Sequence, residues 1–178
     1  LISSFEFHLL TETFQLPAEG LFVLPFLEEE ITTEQQQNWL TFEEKEDFVF
    51  IGNFIHEPNW QTVLQLKTVI WPVLRKRLPQ VKLHIYGAYP SAKVLQLHKE
   101  QENFFIHGRA EDALEVIAKA RVLLAPIPFG AGIKGKFIDA MRVGTPNVTT
   151  RVGIEAMATP EEWSGCCADE VEEFVSKA

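Results

Sequence analysis

The sequence predicts an α/β fold: a Rossmann-like parallel sheet with helices on both faces. Three observations carry this expectation. From about residue 46 onward, short apolar runs alternate with stretches of helical spacing, the pattern of a parallel sheet built from strand–helix units. Several of those runs end in glycine, as in Phe48-Val-Phe-Ile-Gly52, Leu83-His-Ile-Tyr-Gly87 and Phe105-Ile-His-Gly108. The third is residues 127–144, where a loop rich in glycine and lysine joins an apolar strand to a helix.

Residues 4–14 have helical spacing of Phe5, Leu9 and Leu10, and Pro17 stops them. Leu21 to Phe26 reads as a short apolar strand. Residues 28–47 are acidic and Gln-rich, with Trp39, Leu40 and Phe42 as anchors, and read as a linker holding a short helix. Asp47 to Asn53 is a buried-type strand. Asn59 is the expected N-cap of a helix from Trp60 to about Leu78, which Pro72 should kink or break. Val81 to Gly87 is the second strand and Ser91 to Lys99 a short helix. Phe104 to Gly108 is the third strand, Glu111 to Lys119 a helix, and Arg121 to Ala125 the fourth strand. After the glycine loop comes a helix from Gly135 to Val143. Pro146 to Thr150 is a fifth strand with proline first, where no ladder donor is needed. Arg151 to Glu155 reads as a loop, and Asp169 to Lys177 as a closing helix with an acidic start.

Composition narrows the function. The 178 residues are 46% hydrophobic, enough for a full core, and carry a net charge of −9. That charge disfavours nucleic acid and anionic membrane as bulk partners, so any anion must be met by a local basic cluster. The two cysteines, Cys166 and Cys167, are adjacent and form no disulfide scaffold, which favours a reducing, cytoplasmic setting. No apolar run reaches the ~18 residues of a membrane span. The first residue is Leu1, not Met, and the start reads as the middle of a longer protein. Peripheral membrane association of that parent is left open.

The chemistry concentrates after the fourth strand. Gly130, Gly132 and Gly135 let backbone N–H groups turn toward a ligand, and the following helix N-terminus attracts anions. Lys134 and Lys136 strengthen that pull, so the loop reads as a phosphate or diphosphate site. In open parallel sheets ligands sit beyond the strand C-termini. Gly52-Asn53, Gly87, His107-Gly108-Arg109, Gly130 to Lys136 and Gly153 to Glu155 all fall on that edge. Two other motif readings exist. Gly130-x-Gly132-x-x-Gly135 matches the dinucleotide fingerprint, which would make an oxidoreductase domain, but that fingerprint belongs in the first strand–helix turn. Gly130-x-x-x-x-Gly135-Lys136 matches most of a P-loop, but Phe137 stands where Ser or Thr should hold Mg²⁺. His84 lies within a strand and reads as structural, while His56 and His107 lie at strand ends. No His, Cys, Asp or Glu set has metal spacing, and no metal or cofactor is expected.

Phe48 to Asn59, Ile70-Trp-Pro-Val-Leu-Arg75, Val81 to Gly87, Phe105 to Arg109, Pro128 to Met141, Gly144-Thr-Pro-Asn-Val148 and Val152-Gly-Ile-Glu155 together resemble the C-terminal half of group 1, family 4-like glycosyltransferases of the GT-B fold. The likeness covers residues 46–165, and Gly-Ala-Gly-Ile-Lys-Gly-Lys is its most specific part. It implies a donor-binding domain over residues 46–178, truncated at its C-terminus. Residues 1–45 would be the tail of an N-terminal domain and the connection between domains. It further implies transfer of a sugar from a nucleoside-diphosphate sugar to an acceptor (a glycan, lipid or small molecule), with retention at the anomeric carbon. The acceptor would be held mainly by an N-terminal domain outside this chain, so the chain alone should turn over nothing. Gly130, Ala131, Gly132, Ile133 and Gly135 would hold the diphosphate, and Lys134 and Lys136 would stabilise the leaving group. Asp139 would meet the ribose, where the family usually has Glu. Gly52 and Asn53 would border the phosphates, His107, Gly108 and Arg109 the base, and Glu155 is a further donor-side carboxylate. Ala131 stands where many members carry a second Glu, and Asn53 and Pro58 stand where many carry Arg and Lys. Those departures leave a second expectation, a degenerate module that binds sugar nucleotides or serves assembly without catalysis.

Overall fold

Six parallel strands form one sheet in the order β3-β2-β1-β4-β5-β6. The computed structural model describes all residues, Leu1–Ala178. The strands are β1 (Glu46–Ile51), β2 (Leu83–Tyr86), β3 (Phe104–Gly108), β4 (Ala120–Ala125), β5 (Asn147–Thr149) and β6 (Cys166–Cys167). The helices are α1 (Ser4–His8), α2 (Thr33–Gln37), α3 (Glu57–Gln65), α4 (Trp71–Arg77), α5 (Ala92–Leu95), α6 (Ala113–Lys119), α7 (Gly135–Arg142), α8 (Arg151–Ile154) and α9 (Val171–Lys177).

The sheet forms because β1 and β4 are apolar on both faces. Phe48, Val49, Phe50, Leu123, Leu124 and Ala125 are all at 2% exposure or less. β1 pairs β4 through Phe48–Val122 and Val49–Leu123, and pairs β2 through Phe50–Ile85. Parallel register puts every strand's C-terminal end on one edge of the sheet. Trp71 and Phe104 fill the core beneath β1, with edge-on contacts from Trp71 to Phe48 and to Phe104. Its indole N–H donates to the Glu102 carbonyl at 2.7 Å, so the one polar atom of this buried ring is satisfied.

Four sequence expectations are corrected. Leu21 to Phe26 is not a strand: no neighbouring strand lies beside it, and its backbone bonds are local or run to the chain start, as from Leu24 N–H to the Leu1 carbonyl. The helix after β1 opens at Glu57 with His56 as N-cap, so Asn59 is its third residue and no cap. Pro58 fits because proline is tolerated in a first turn. At Pro72 the expected break does not occur, although the regular α-helix is interrupted just before it. The chain widens into a π-helical stretch at Leu66–Ile70, and α3 and α4 continue as one run. A proline ring clashes with the carbonyl four residues before it, and the wider turn relieves that crowding. Arg151 to Ile154 is a helical turn and not a loop, capped by the Thr150 hydroxyl accepting from Gly153 N–H at 3.1 Å. The predicted helix at Ser91–Lys99 shortens to α5, and β6, which is two residues long, had no legible strand pattern.

Residues 1–45 lie against the sheet domain at discrete points. Trp39 donates its indole N–H to the Arg142 carbonyl and rests on Gly144, where an added Cβ would lie 2.3 Å from the ring. Lys45 is buried and donates to the Ala118 carbonyl and the Thr145 hydroxyl, tying the start of β1 to the end of α6.

Candidate functional site

A cavity of about 790 Å³ opens at the carboxyl edge of the sheet. Its walls come from the ends of four strands. β1 supplies Ile51, Gly52 and Asn53, β2 supplies Gly87 and Ala88, β3 is followed by Arg109 and Ala110, and β4 by Ile127 and the glycine loop. Gly87 allows two walls to approach: a Cβ there would lie 2.1 Å from the Gly52 carbonyl oxygen.

The glycine loop is shaped by positive backbone angles at Gly130 (φ 129°) and Gly132 (φ 78°), which only glycine adopts freely. From Phe129 to Lys136, no backbone N–H donates to a protein acceptor; the first to do so is Phe137, which donates to the Lys134 carbonyl. The loop therefore presents a run of unsatisfied donors leading into the N-terminus of α7, where the helix dipole is positive. Neither end of this helix start is closed by a side chain, since Lys134 as N-cap offers no acceptor.

Lys136 and Lys134 flank these donors in different ways. The Lys136 ammonium donates to Asn59 Oδ1 at 2.7 Å and lies 4.7 Å from the centre of the Phe50 ring. It forms no ion pair. The side chain is partly buried and lines the cavity wall. Burial first, and the nearby Lys134 charge second, push its pKa down to about 7. Lys134 donates to the Val152 carbonyl at 2.9 Å and to the Glu155 carbonyl at 3.4 Å, so it laces the loop to the end of α8. Burial lowers its pKa, with the Glu155 carboxylate pulling the other way. Asp139, the fifth residue of α7, also lines the cavity. Burial raises its pKa, Arg142 opposes that, and Glu28 adds to it.

The structure brings together Gly52, Asn53, Arg109, Gly130, Ala131, Ile133, Lys134, Gly135, Lys136 and Asp139 around one space. Four other residues named from sequence, His107, Gly108, Gly132 and Glu155, do not line it. His107 points along the sheet face instead. Its ring stacks on Tyr86 at 4.6 Å, and its Nε2 meets His84 Nδ1 at 2.8 Å, while His84 Nε2 meets Asp47 Oδ2 at 3.1 Å. Strand alternation explains this, because His107 shares a face with Phe105, not with the buried Ile106. Glu155 reaches the site only through its carbonyl to Lys134. Sequence reasoning missed Asn59 as a cavity residue. The signal was an amide in the turn after β1, read there as a helix cap.

A Rossmann-like parallel sheet with a basic, glycine-lined cleft at its strand C-termini defines the class of the molecule. Residues 45–178 match the family described as glycosyl transferases group 1, and the chain belongs to it. Its sheet has the Rossmann-like fold found in GT-B glycosyltransferases. A curated relative from Klebsiella pneumoniae, an uncharacterized 44.6 kDa protein in the cps region, is 26% identical over 118 residues, covering 62% of this chain and 30% of that protein. Among solved structures, a glycosyltransferase from Rickettsia africae superposes with a TM-score of 0.69 at 12% identity, over 99% of this chain and 50% of that one. WaaG, a glycosyltransferase involved in lipopolysaccharide biosynthesis, gives 0.65 at 16% identity, over 99% and 51%. S. aureus TarM, solved with UDP and alpha-GlcNAc-glycerol, gives 0.67 at 15% identity, over 93% and 33%. The chain thus spans about a third to a half of the length of these proteins. No helix in it is long and apolar enough to cross a membrane.

Proposed function

We propose that this chain is the donor-binding part of a glycosyltransferase, and that its cavity seats the diphosphate of a nucleoside-diphosphate sugar. One observation carries the reading. The unpaired amide donors of the glycine loop and the Lys136 ammonium, which lacks a counter-charge, meet at one cavity. A buried cation without a carboxylate is costly in the empty protein. Lys45 is held in a similar way by two neutral oxygens but does not line the cavity, whereas Lys136 does. A diphosphate satisfies both features.

In this reading the loop from Gly130 to Lys136 holds the diphosphate oxygens. Asp139 accepts from the ribose, and Arg109 and Asn53 border the nucleotide. As the bond between the sugar carbon and the phosphate oxygen breaks, the electron pair leaves with the nucleoside diphosphate. Lys136 stabilises the charge that grows there, and Lys134 supports the loop and adds to the field. The UDP in the TarM structure and the family membership support a nucleotide-sugar donor. Retention at the sugar carbon follows the family likeness. Residues 1–45 are read as the tail of an N-terminal domain and the connection to residues 46–178, with the acceptor held mainly by that domain in a longer, cytoplasmic parent.

Calorimetry with uridine and guanosine diphosphate tests this directly. Binding is expected with the wild type and is lost when Lys134→Ala and Lys136→Ala are combined. Absence of binding by every nucleoside diphosphate tried overturns the reading. A second reading, a module that binds the nucleotide without transfer, is favoured by one feature. Ala131 and Pro58 present no charge to the cavity where related sequences carry Glu and Lys, and Pro58 packs 3.2 Å from the Cβ position of Gly130. Sugar transfer by the full-length parent, measured as release of nucleoside diphosphate, separates the two.

A further inference from the structure

The amide of Asn59 occupies an unusual place between two backbone walls. Its Oδ1 accepts from Lys136 Nζ at 2.7 Å, and its Nδ2 donates to the Asn53 carbonyl at 2.8 Å. The two contacts fix which end of the amide is which, since an ammonium only donates and a carbonyl only accepts. The bridge thus joins the turn after β1 to the start of α7. Gly52 makes room for it: a Cβ at that position would lie 2.6 Å from Asn59 Cγ. Asn59 also faces the cavity.

We propose that Asn59 is the positioning residue of the anion site: its neutral amide holds the Lys136 ammonium at the cavity wall and leaves the whole positive charge to a bound diphosphate. The proposal rests on the diphosphate reading above. An acidic residue here would pair with Lys136 internally, and an arriving diphosphate would meet a neutralised site and a repelling carboxylate. An apolar residue would leave the ammonium with the Phe50 ring as its sole neighbour of note. Asparagine avoids both outcomes, because it is the one side chain of that length able to accept from the ammonium and donate to the Asn53 carbonyl at once. The depressed pKa of Lys136 agrees with a cation held by a dipole and not by an opposite charge.

The test compares the full chain with Asn59→Asp and Asn59→Ala. Uridine diphosphate is the probe, its affinity is followed by calorimetry from pH 6.5 to 9.5, and thermal melts report folding. The wild type should lose affinity as pH rises above about 7, where free Lys136 gives up its proton. In Asn59→Asp that loss should move up by more than about one pH unit, because the carboxylate keeps Lys136 charged. Its affinity at pH 7 should fall at least about thirtyfold, the lower end for disturbing a buried charge contact. In Asn59→Ala the loss should move down in pH, with affinity at pH 7 about tenfold weaker. A residue that only braces α3 would change melting temperature and leave the pH profile in place, so identical profiles in all three proteins overturn the proposal. If the wild type binds no nucleoside diphosphate, the donor reading fails by itself. The Asn59 proposal is then decided without ligand, by NMR titration of ¹³Cε-labelled lysine. A Lys136 pKa that rises in Asn59→Asp and falls in Asn59→Ala supports it, and an unchanged one overturns it.

Discussion

Replacing Lys136 by methionine should stabilise the empty protein at neutral pH while abolishing the proposed anion binding. The ammonium has an ordinary pKa of 10.5 that burial lowers to about 7. Between those values the unfolded chain binds more protons at this position than the folded one, so folding stability rises as pH increases through that window. Below pH 7 both states are protonated, and the folded state carries the full cost of an enclosed charge. Three and a half units correspond to a ceiling of roughly 5 kcal/mol. Relaxation and the solvent reaching the cavity reduce this, and about 1–3 kcal/mol is expected. Methionine matches the length of the side chain and can rest on Phe50, so the cavity left behind is small. Urea unfolding of both proteins at pH 6.5, 8 and 10 checks the prediction. The difference matters, not either curve alone, because Lys45 and Cys167 also have displaced pKa values and cancel in the comparison. Lys136→Met should be the more stable protein at pH 6.5, and the advantage should shrink toward pH 10. An advantage that is constant with pH, or a mutant destabilised throughout, refutes the claim that Lys136 is enclosed without a counter-charge.

Three further outcomes are expected. Burial first, and then the charges of His84 and His98, depress the pKa of His107, so below pH 6.5 the unfolded chain takes up protons more readily and stability falls. His107→Phe keeps the stack on Tyr86, removes that titration, and should flatten the loss of stability between pH 6.5 and 5 in urea melts. Gly87→Ala drives a Cβ to 2.1 Å from the Gly52 carbonyl, a backbone atom that no rotamer can move. It should cost about 3 kcal/mol or more by thermal melting and weaken the proposed nucleotide binding by shifting the Gly52 wall. Trp39→Ala removes the indole resting on Gly144 and its bond to the Arg142 carbonyl, and should lower stability by about 1–3 kcal/mol in urea melts.

The sheet was legible because its strands announce themselves twice. Phe48-Val-Phe-Ile is apolar on both faces, and the first three runs terminate where a glycine, Gly52, Gly87 or Gly108, lets the chain turn across the carboxyl edge. The glycine loop was legible for a similar reason, since Gly130 and Gly132 sit at positive φ that few other residues tolerate. What the sequence hid depends on pairing or direction across distance. Leu21 to Phe26 has strand composition, but a strand needs a partner and none lies alongside. The two residues of β6 have a partner in β5 and almost no pattern of their own. His107 stands beside the cleft in the chain, yet the two-residue alternation of β3 turns it onto the sheet face. Asn59 was seen as a cap because asparagine in a turn usually is one; only the contact with Lys136, 77 positions later, shows its other use.

The two loop lysines, alike in sequence, do different work in space. Lys134 spends its donors on the carbonyls of Val152 and Glu155, so its charge is partly answered by the end of α8 and its loss should loosen the loop. Lys136 has a single neutral acceptor and an aromatic ring. A buried cation in that state is costly to fold around; it can shed its proton, as the pKa of about 7 reflects, or, in the proposed reading, meet an anion arriving from outside. In that reading, the same enclosure that weakens the empty protein would strengthen each contact once a diphosphate excluded water from the cleft. Stability and anion binding are therefore opposed at this one side chain. A substitution there that improved both would mean the ammonium was never waiting for a charge.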